Sequence, residues 1–212
     1  MLAYLFGLSL SAAAQLQDGW FCYRIGEHSC AREVAVELLQ INPEDLEAHK
    51  LYLFANGRDN PQVVEVYKAF HEKQQSERSA LAYAGALMRL GDESEFCDRV
   101  TNLIDVRSKD EDIRYWSLAL EVRRLQKCKK KKSGGSANKK LVKLGATYEP
   151  AQSYRVYSLL KQDRCDELSG ELEEFVLREP WNLYLFRNIF DSDEEQCVAL
   201  SKKVLSLAKQ LS

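Results

Sequence analysis

The sequence predicts an all-α fold, on three observations. Turn residues are sparse: four prolines and ten glycines in 212 residues, too few for an all-β chain, which turns about every 8–12 residues. Apolar residues recur at helical spacing. Leu81, Ala84, Leu87 and Met88 share one helix face, and Leu168, Phe175 and Val176 share another. A turn–helix–stop segment also returns at fixed length. Gly26 to Pro43 ("GEHSCAREVAVELLQINP") and Asp163 to Pro180 ("DRCDELSGELEEFVLREP") each run 18 residues. Between them, "GDESEFCDRVTNLIDVRS" opens alike and lacks only the proline. Apolar residues at 45% and charged residues at 29% fit a folded chain with one sizeable core.

The elements follow in order. Residues 1–14, "MLAYLFGLSLSAAA", carry no charge. They are too short for a membrane-crossing helix, which needs about 20 residues. They read as a signal peptide, with Ala12–Ala13–Ala14 as the small-residue cleavage site but no basic start; the alternative is the beginning of the first helix. Amphipathic helices are expected at Leu16–Arg24, after the Gly26 turn with Val34, Leu38, Leu39 and Ile41 on one side, at Ala80–Arg89, and at Ala151–Lys161. Glu44, Glu93 and Glu111 open helices, where the dipole favours anions. The run "KCKKKKSGGSANKK" sits in a stretch, residues 127–143, with eight lysines and no acid. Lysine repulsion and the Ser-Gly-Gly-Ser core predict a flexible loop over about 128–140. The rest of the chain then carries −10, a poor surface for polyanions. A final helix, Glu194–Leu211, has Lys202, Lys203 and Lys209 on its polar side and suits a solubilising cap.

Each turn–helix segment is preceded by another amphipathic helix, so the repeating unit is helix–turn–helix. It resembles the tetratricopeptide repeat. Gly26 at the inter-helix turn, Ala31 early in the second helix and Pro43 at the end of the unit carry the likeness. Residues 149–182 keep Pro180 but place Asp163 and Leu168 in the other two slots, and residues 77–110 keep only Gly91. The resemblance implies a right-handed solenoid of antiparallel helix pairs over 15–212, one domain with units at about 12–45, 46–76, 77–110, 111–148 and 149–182. One unit cannot bury its own apolar face, so its neighbours must.

A column of residues recurs across these units. Twelve places after each start stand Arg24, Arg58, Arg89, Arg123 and Lys161. Four places earlier, on the same helix face, stand Trp20, Phe54, Gly85, Ala119 and Tyr157. The resemblance puts this face on a concave groove, where arginine forks and aromatic rings would suit an acidic or carboxylate-ended partner protein or peptide. A cation near a helix C-terminus also complements the dipole by about 0.3–1 kcal/mol, and the aromatics could be core. The column alone therefore does not establish a site.

No catalytic constellation appears, and an enzyme is not expected. GxSxG, P-loop, HExxH and Rossmann patterns are absent. His28, His49 and His71 are scattered and read as surface residues. Cys22, His28 and Cys30 lack a fourth ligand for a metal. No cofactor is expected, and the lysine run has no interleaved aromatics to stack nucleic-acid bases. The six cysteines, without a CxxC, read as disulfides of an oxidising compartment. Fifteen pairings exist. The unit parse favours Cys22–Cys30, Cys97–Cys128 and Cys165–Cys197, because these place sulfurs in the same or neighbouring turns. The expected function is that of a periplasmic or secreted protein-interaction scaffold with no stable membrane span. A cytoplasmic adaptor or chaperone-associated module is the first alternative, and a helical subunit of an enzyme complex the second.

Overall fold

The computed structural model describes residues 12–57, 60–129, 134–162, 164–168 and 197–200, with Lys202 and Ser206. The described residues are helical, with no strand among them. They belong to two compact units, 1–134 and 135–212, so the stretch expected as one domain is described here as two.

The first unit holds α1 (Ala12–Arg24), α2 (His28–Ile41), α3 (Leu46–Ala55), α4 (Gln62–Gln74), α5 (Glu77–Leu90), α6 (Glu93–Leu103) and α7 (Glu111–Lys127). Their starts are written locally. Asp45 accepts the backbone N–H groups of Glu47 and Ala48, Asp92 those of Ser94 and Glu95, and Asp110 those of Asp112 and Ile113. Ser76 and Ser79 cap each other's backbone at α5. Each such cap contributes about 0.5–2 kcal/mol. Gly26 turns the chain between α1 and α2 at φ +88°, a conformation a side chain would strain.

Helices α1, α3, α5 and α7 pack one upon the next; α2 packs on α1 and α3, α4 on α5, and α6 on α5 and α7. Helix α5 is buried almost all round, with Ala80, Ala82, Ala84 and Ala86 giving neighbours close approach. Leu81 and Leu87 of α5 meet Phe96 and Val100 of α6 in the main core. On α2 the buried face is Ala31, Ala35 and Leu38, while Ile41 is 72% exposed. The larger aliphatics suggested a different stripe; alanines win because they let α2 approach α3 closely.

All six cysteines are paired as the unit parse favoured. Cys22–Cys30, Cys97–Cys128 and Cys165–Cys197 have Cα–Cα distances of 5.9, 5.7 and 5.2 Å. These lie within the span a disulfide bridges.

The second unit contains α8 (Gly135–Leu144), α9 (Gln152–Leu160), and short 3₁₀ turns at Glu149–Ala151 and Cys165–Leu168. The expected loop over 128–140 is therefore too long by about half. From Gly135 the chain is helical, because Ala137, Leu141 and Leu144 recur at helical spacing and are buried. A Cβ on Gly145 would stand 2.6 Å from the Ala151 carbonyl oxygen and 2.6 Å from Arg155 Cβ, so glycine lets α8 turn back against α9. The Cys165–Cys197 bond packs among Val156, Leu159, Leu168 and Leu200. Of the helix expected at Glu194–Leu211, residues 197–200 are helical and much of the rest lies outside the described residues.

Candidate functional site

Helices α1, α3, α5 and α7 each present a polar or aromatic side chain to one cluster. Trp20 and Tyr23 of α1 meet Phe54 of α3 edge-on, with ring centroids 5.7 and 5.8 Å away. Trp20 and Tyr23 are themselves T-shaped at 5.8 Å. Such pairs contribute about 0.5–1.5 kcal/mol beyond the area they bury. Arg89 of α5 lies on the other side, its guanidinium carbon 4.0 Å from the Phe54 ring centroid. Lys50, one turn before Phe54 on α3, has its ammonium 5.4 Å from the Trp20 ring and 5.2 Å from the Trp116 ring of α7. Glu47 holds that ammonium at 3.1 Å.

Two polar atoms of this cluster are buried without a hydrogen-bond partner, Arg89 Nε and Trp116 Nε1. Among the described residues no carboxylate pairs with Arg89. A buried unsatisfied donor costs about 1–3 kcal/mol, and more when charged. The arrangement can therefore accept a carboxylate: a guanidinium oriented by Phe54, with aromatic rings beside it to cover apolar groups of the same ligand.

Of the column residues, Trp20 and Arg89 both meet Phe54. Arg24 and Arg123 are exposed, and Arg123 donates only a long hydrogen bond, 3.4 Å, to Gln126. Arg58 lies outside the described residues. Tyr157 and Lys161 belong to the second unit, where the Lys161 ammonium is 5.9 Å from the Tyr157 ring. The column missed Tyr23, Lys50 and Trp116. Helical spacing held the signal for two of them: Lys50 is four residues before Phe54, and Trp116 three before Ala119.

Gly85 stands four residues before Arg89. A Cβ there would meet only Leu53 Cδ1, at an ordinary 3.4 Å. Packing does not demand glycine, yet glycine inside a helix costs about 0.5–1 kcal/mol relative to alanine. Gly85→Ala is therefore expected to raise stability by roughly that amount, read as a higher urea midpoint. A loss would show that the helix needs the bare backbone.

His49, expected at the surface, is buried at 6% exposure. It borders an apolar cavity of about 320 Å³ walled by Val36, Leu39, Tyr52, Val66 and Phe70 among others. Its Nε2 lies 2.8 Å from the Pro43 carbonyl oxygen, which only accepts, so Nε2 carries the proton. Its Nδ1 then accepts from the Tyr67 hydroxyl at 3.0 Å. Both nitrogens are engaged by the protein, so His49 bonds α3 to α4 and to the turn before α3 and offers no free base. Burial lowers its pKa below the ordinary 6.5, against the raising effects of the Pro43 hydrogen bond and the Asp45 and Glu44 carboxylates. The unfolded chain thus takes up a proton at a pH where the folded one does not. The stabilisation is complete above about pH 6.5 and is lost as pH falls from there toward the folded pKa. Urea midpoints are expected to fall with acidification in this window, and His49→Gln should flatten that part of the profile.

Among the described residues no group of histidine, cysteine and acidic side chains is placed to hold a metal, and no helix is long and apolar enough to cross a membrane. Comparison of the chain with protein-family models, with curated proteins and with solved structures finds no match.

Proposed function

We propose that the protein is an interaction scaffold and that its first unit grips an acidic, carboxylate-bearing segment of a partner protein. In this reading α1 with α2 and α5 with α6 are tetratricopeptide-like pairs of a right-handed solenoid. Helices α1, α3, α5 and α7 line its concave face. The observation that carries the reading is Arg89: stacked on Phe54, its Nε buried and unsatisfied, with no carboxylate of the described chain to neutralise it. A ligand carboxylate would bind the terminal nitrogens of the guanidinium in a charge-assisted bond, and Trp20, Tyr23 and Trp116 would cover the residue beside it. The three disulfides support an oxidising compartment, hence a periplasmic or secreted protein. The residues 1–14 then act as an export signal, and the mature chain starts at Gln15.

Fluorescence anisotropy with an Asp/Glu-rich peptide, against its Asn/Gln counterpart, tests the groove. Arg89→Gln and Phe54→Ala should each weaken the acidic peptide at least about tenfold, or 1.4 kcal/mol. Arg24→Gln, at an exposed helix end, should change little. Affinity should fall with salt, since exposed charges are screened over about 10 Å at 0.1 M. Equal binding of both peptides, or unchanged binding by Arg89→Gln with a native helical spectrum, would leave only the helix-dipole role for these cations. Mass spectrometry of the mature amino terminus checks the export step.

A further inference from the structure

The cavity beside His49 is the floor of an apolar groove that the Arg89 cluster does not use. It encloses about 320 Å³ between α2, α3 and α4. Val36 and Leu39 line it from α2, Tyr52 from α3, and Val66 and Phe70 from α4. His49 and Tyr67 in its wall are spent on each other and on the Pro43 carbonyl, so the wall asks for apolar contact. Val36 is 40% exposed and Val66 65% exposed. Single exposed valines are ordinary; these two stand on different helices and line one concavity.

The shape suits a helix. Helix α2 packs on α1 and α3, and α4 packs on α5, so the two border the groove from different neighbours. Each offers it side chains three or four residues apart: Val36, Leu39 and Gln40 on α2, Val66 and Phe70 on α4. Such ridges are what one helix presents to another. An amphipathic helix laid between them would bury its apolar face against three helices at once.

Charge sets the chemistry of that helix. Glu33 and Glu37 lie one turn apart on α2, beside Val36, and are exposed. Among the described residues neither has a cation partner. Arg32 of α2 donates to the Ala55 carbonyl oxygen at 3.1 Å, and Lys68 of α4 lies 3.8 Å from Glu65. Lys73 stands in the last turn of α4, three residues beyond Phe70. The α2 edge of the groove is therefore an anionic ridge, and like charges at this spacing destabilise their own helix. Lysines or arginines of a partner would relieve that repulsion. We infer that the groove docks a basic amphipathic helix of a partner protein, with its apolar face on Val36, Val66 and Phe70 and its cationic flank along Glu33 and Glu37.

The test uses the whole oxidised protein and fluorescence anisotropy. The probe is a labelled peptide of about 18 leucine and lysine residues, long enough to form a helix, with leucine on one face. One counterpart has the same composition scrambled so that no face forms, and another replaces lysine by glutamate. The patterned Leu/Lys peptide should bind saturably and at least about tenfold tighter than either counterpart. Glu33→Lys/Glu37→Lys and Val36→Ser/Val66→Ser should each weaken it at least about tenfold. All four side chains are exposed, so the helical spectrum should stay native. Glu72→Lys, an exposed position on the far side of α4 from Phe70, should change affinity less than about twofold. The inference fails if the scrambled peptide binds as tightly, if Glu72→Lys weakens binding as much as the Glu33 and Glu37 change, or if the serine variant binds as the parent does. A dimer in sedimentation that Val36→Ser/Val66→Ser abolishes would make a second copy the occupant. Saturable uptake of N-phenyl-1-naphthylamine without peptide binding would make it a small apolar molecule. Either result overturns the inference. No arm involves Arg89, so acidic-peptide binding stands or falls separately.

Discussion

Replacing Cys97 and Cys128 together by serine is expected to lower the stability of the first unit by roughly 3–4 kcal/mol, from the chain entropy that a loop of this length returns to the unfolded state. The bond joins positions 31 residues apart. It links the second turn of α6 to the residue that caps the end of α7, so it closes a loop containing most of both helices. Both cysteines pack against the main core, and serine would add a hydroxyl there, which pushes the loss upward. The Cys22–Cys30 bond closes only 8 residues, and the same reasoning gives it roughly 2.5 kcal/mol. Urea unfolding of the two double variants measures both. The Cys97/Cys128 variant should also show a larger slope with urea, since its unfolded chain exposes more surface. Equal midpoints for the oxidised and reduced parent protein would refute the entropic account.

Much of this was legible because it is local. Glu93 and Glu111, expected to open helices, are the first residues of α6 and α7, Glu44 lies two residues before α3, and Gly26 marks the turn that precedes α2. Once the helices are placed, the cysteines fall at their ends, and proximity follows from order along the chain. What was not legible depends on how closely helices approach. His49 sits one residue from Lys50 on a short helix, and only the packing of α4 and the Pro43 turn decides that one is buried and the other borders the aromatic cluster. Trp116 lies three residues before Ala119 of the column, but that its ring meets Lys50 of α3 is decided by how α3 and α7 both pack on α5. Arg24, Arg89 and Arg123 look equivalent in the column, yet Arg24 and Arg123 are exposed while Arg89 is half-buried with its guanidinium over the Phe54 ring. The boundary of α8 was misplaced for a related reason: lysine density argued for a loop, while the burial of Ala137, Leu141 and Leu144 decided for helix.

Truncating Phe96 to alanine is expected to cost about 3–5 kcal/mol, the range for removing a fully buried phenylalanine. Phe96 is 0% exposed and is among the largest wholly buried side chains of the described residues. It projects from α6 into the core formed with Leu81, Leu87 and Leu90 of α5 and Ile113 of α7. These walls are helices pinned by caps and, on α6, by the adjacent Cys97–Cys128 bond, so they cannot collapse freely into the space left behind. Incomplete collapse puts the cost toward the upper part of the range. Phe96→Leu keeps most of the volume and should cost under about 1.5 kcal/mol. The effect should reach the candidate groove, since α5 carries Arg89, α7 carries Trp116, and Phe96 belongs to the core that both helices share. Acidic-peptide affinity in Phe96→Ala, measured where the variant is still folded, should therefore fall along with stability, whereas Phe96→Leu should bind nearly as the parent. A urea midpoint for Phe96→Ala within about 0.5 kcal/mol of the parent, as for an ordinary surface substitution, would contradict the placement of α6 against α5 and α7 from which the groove is built.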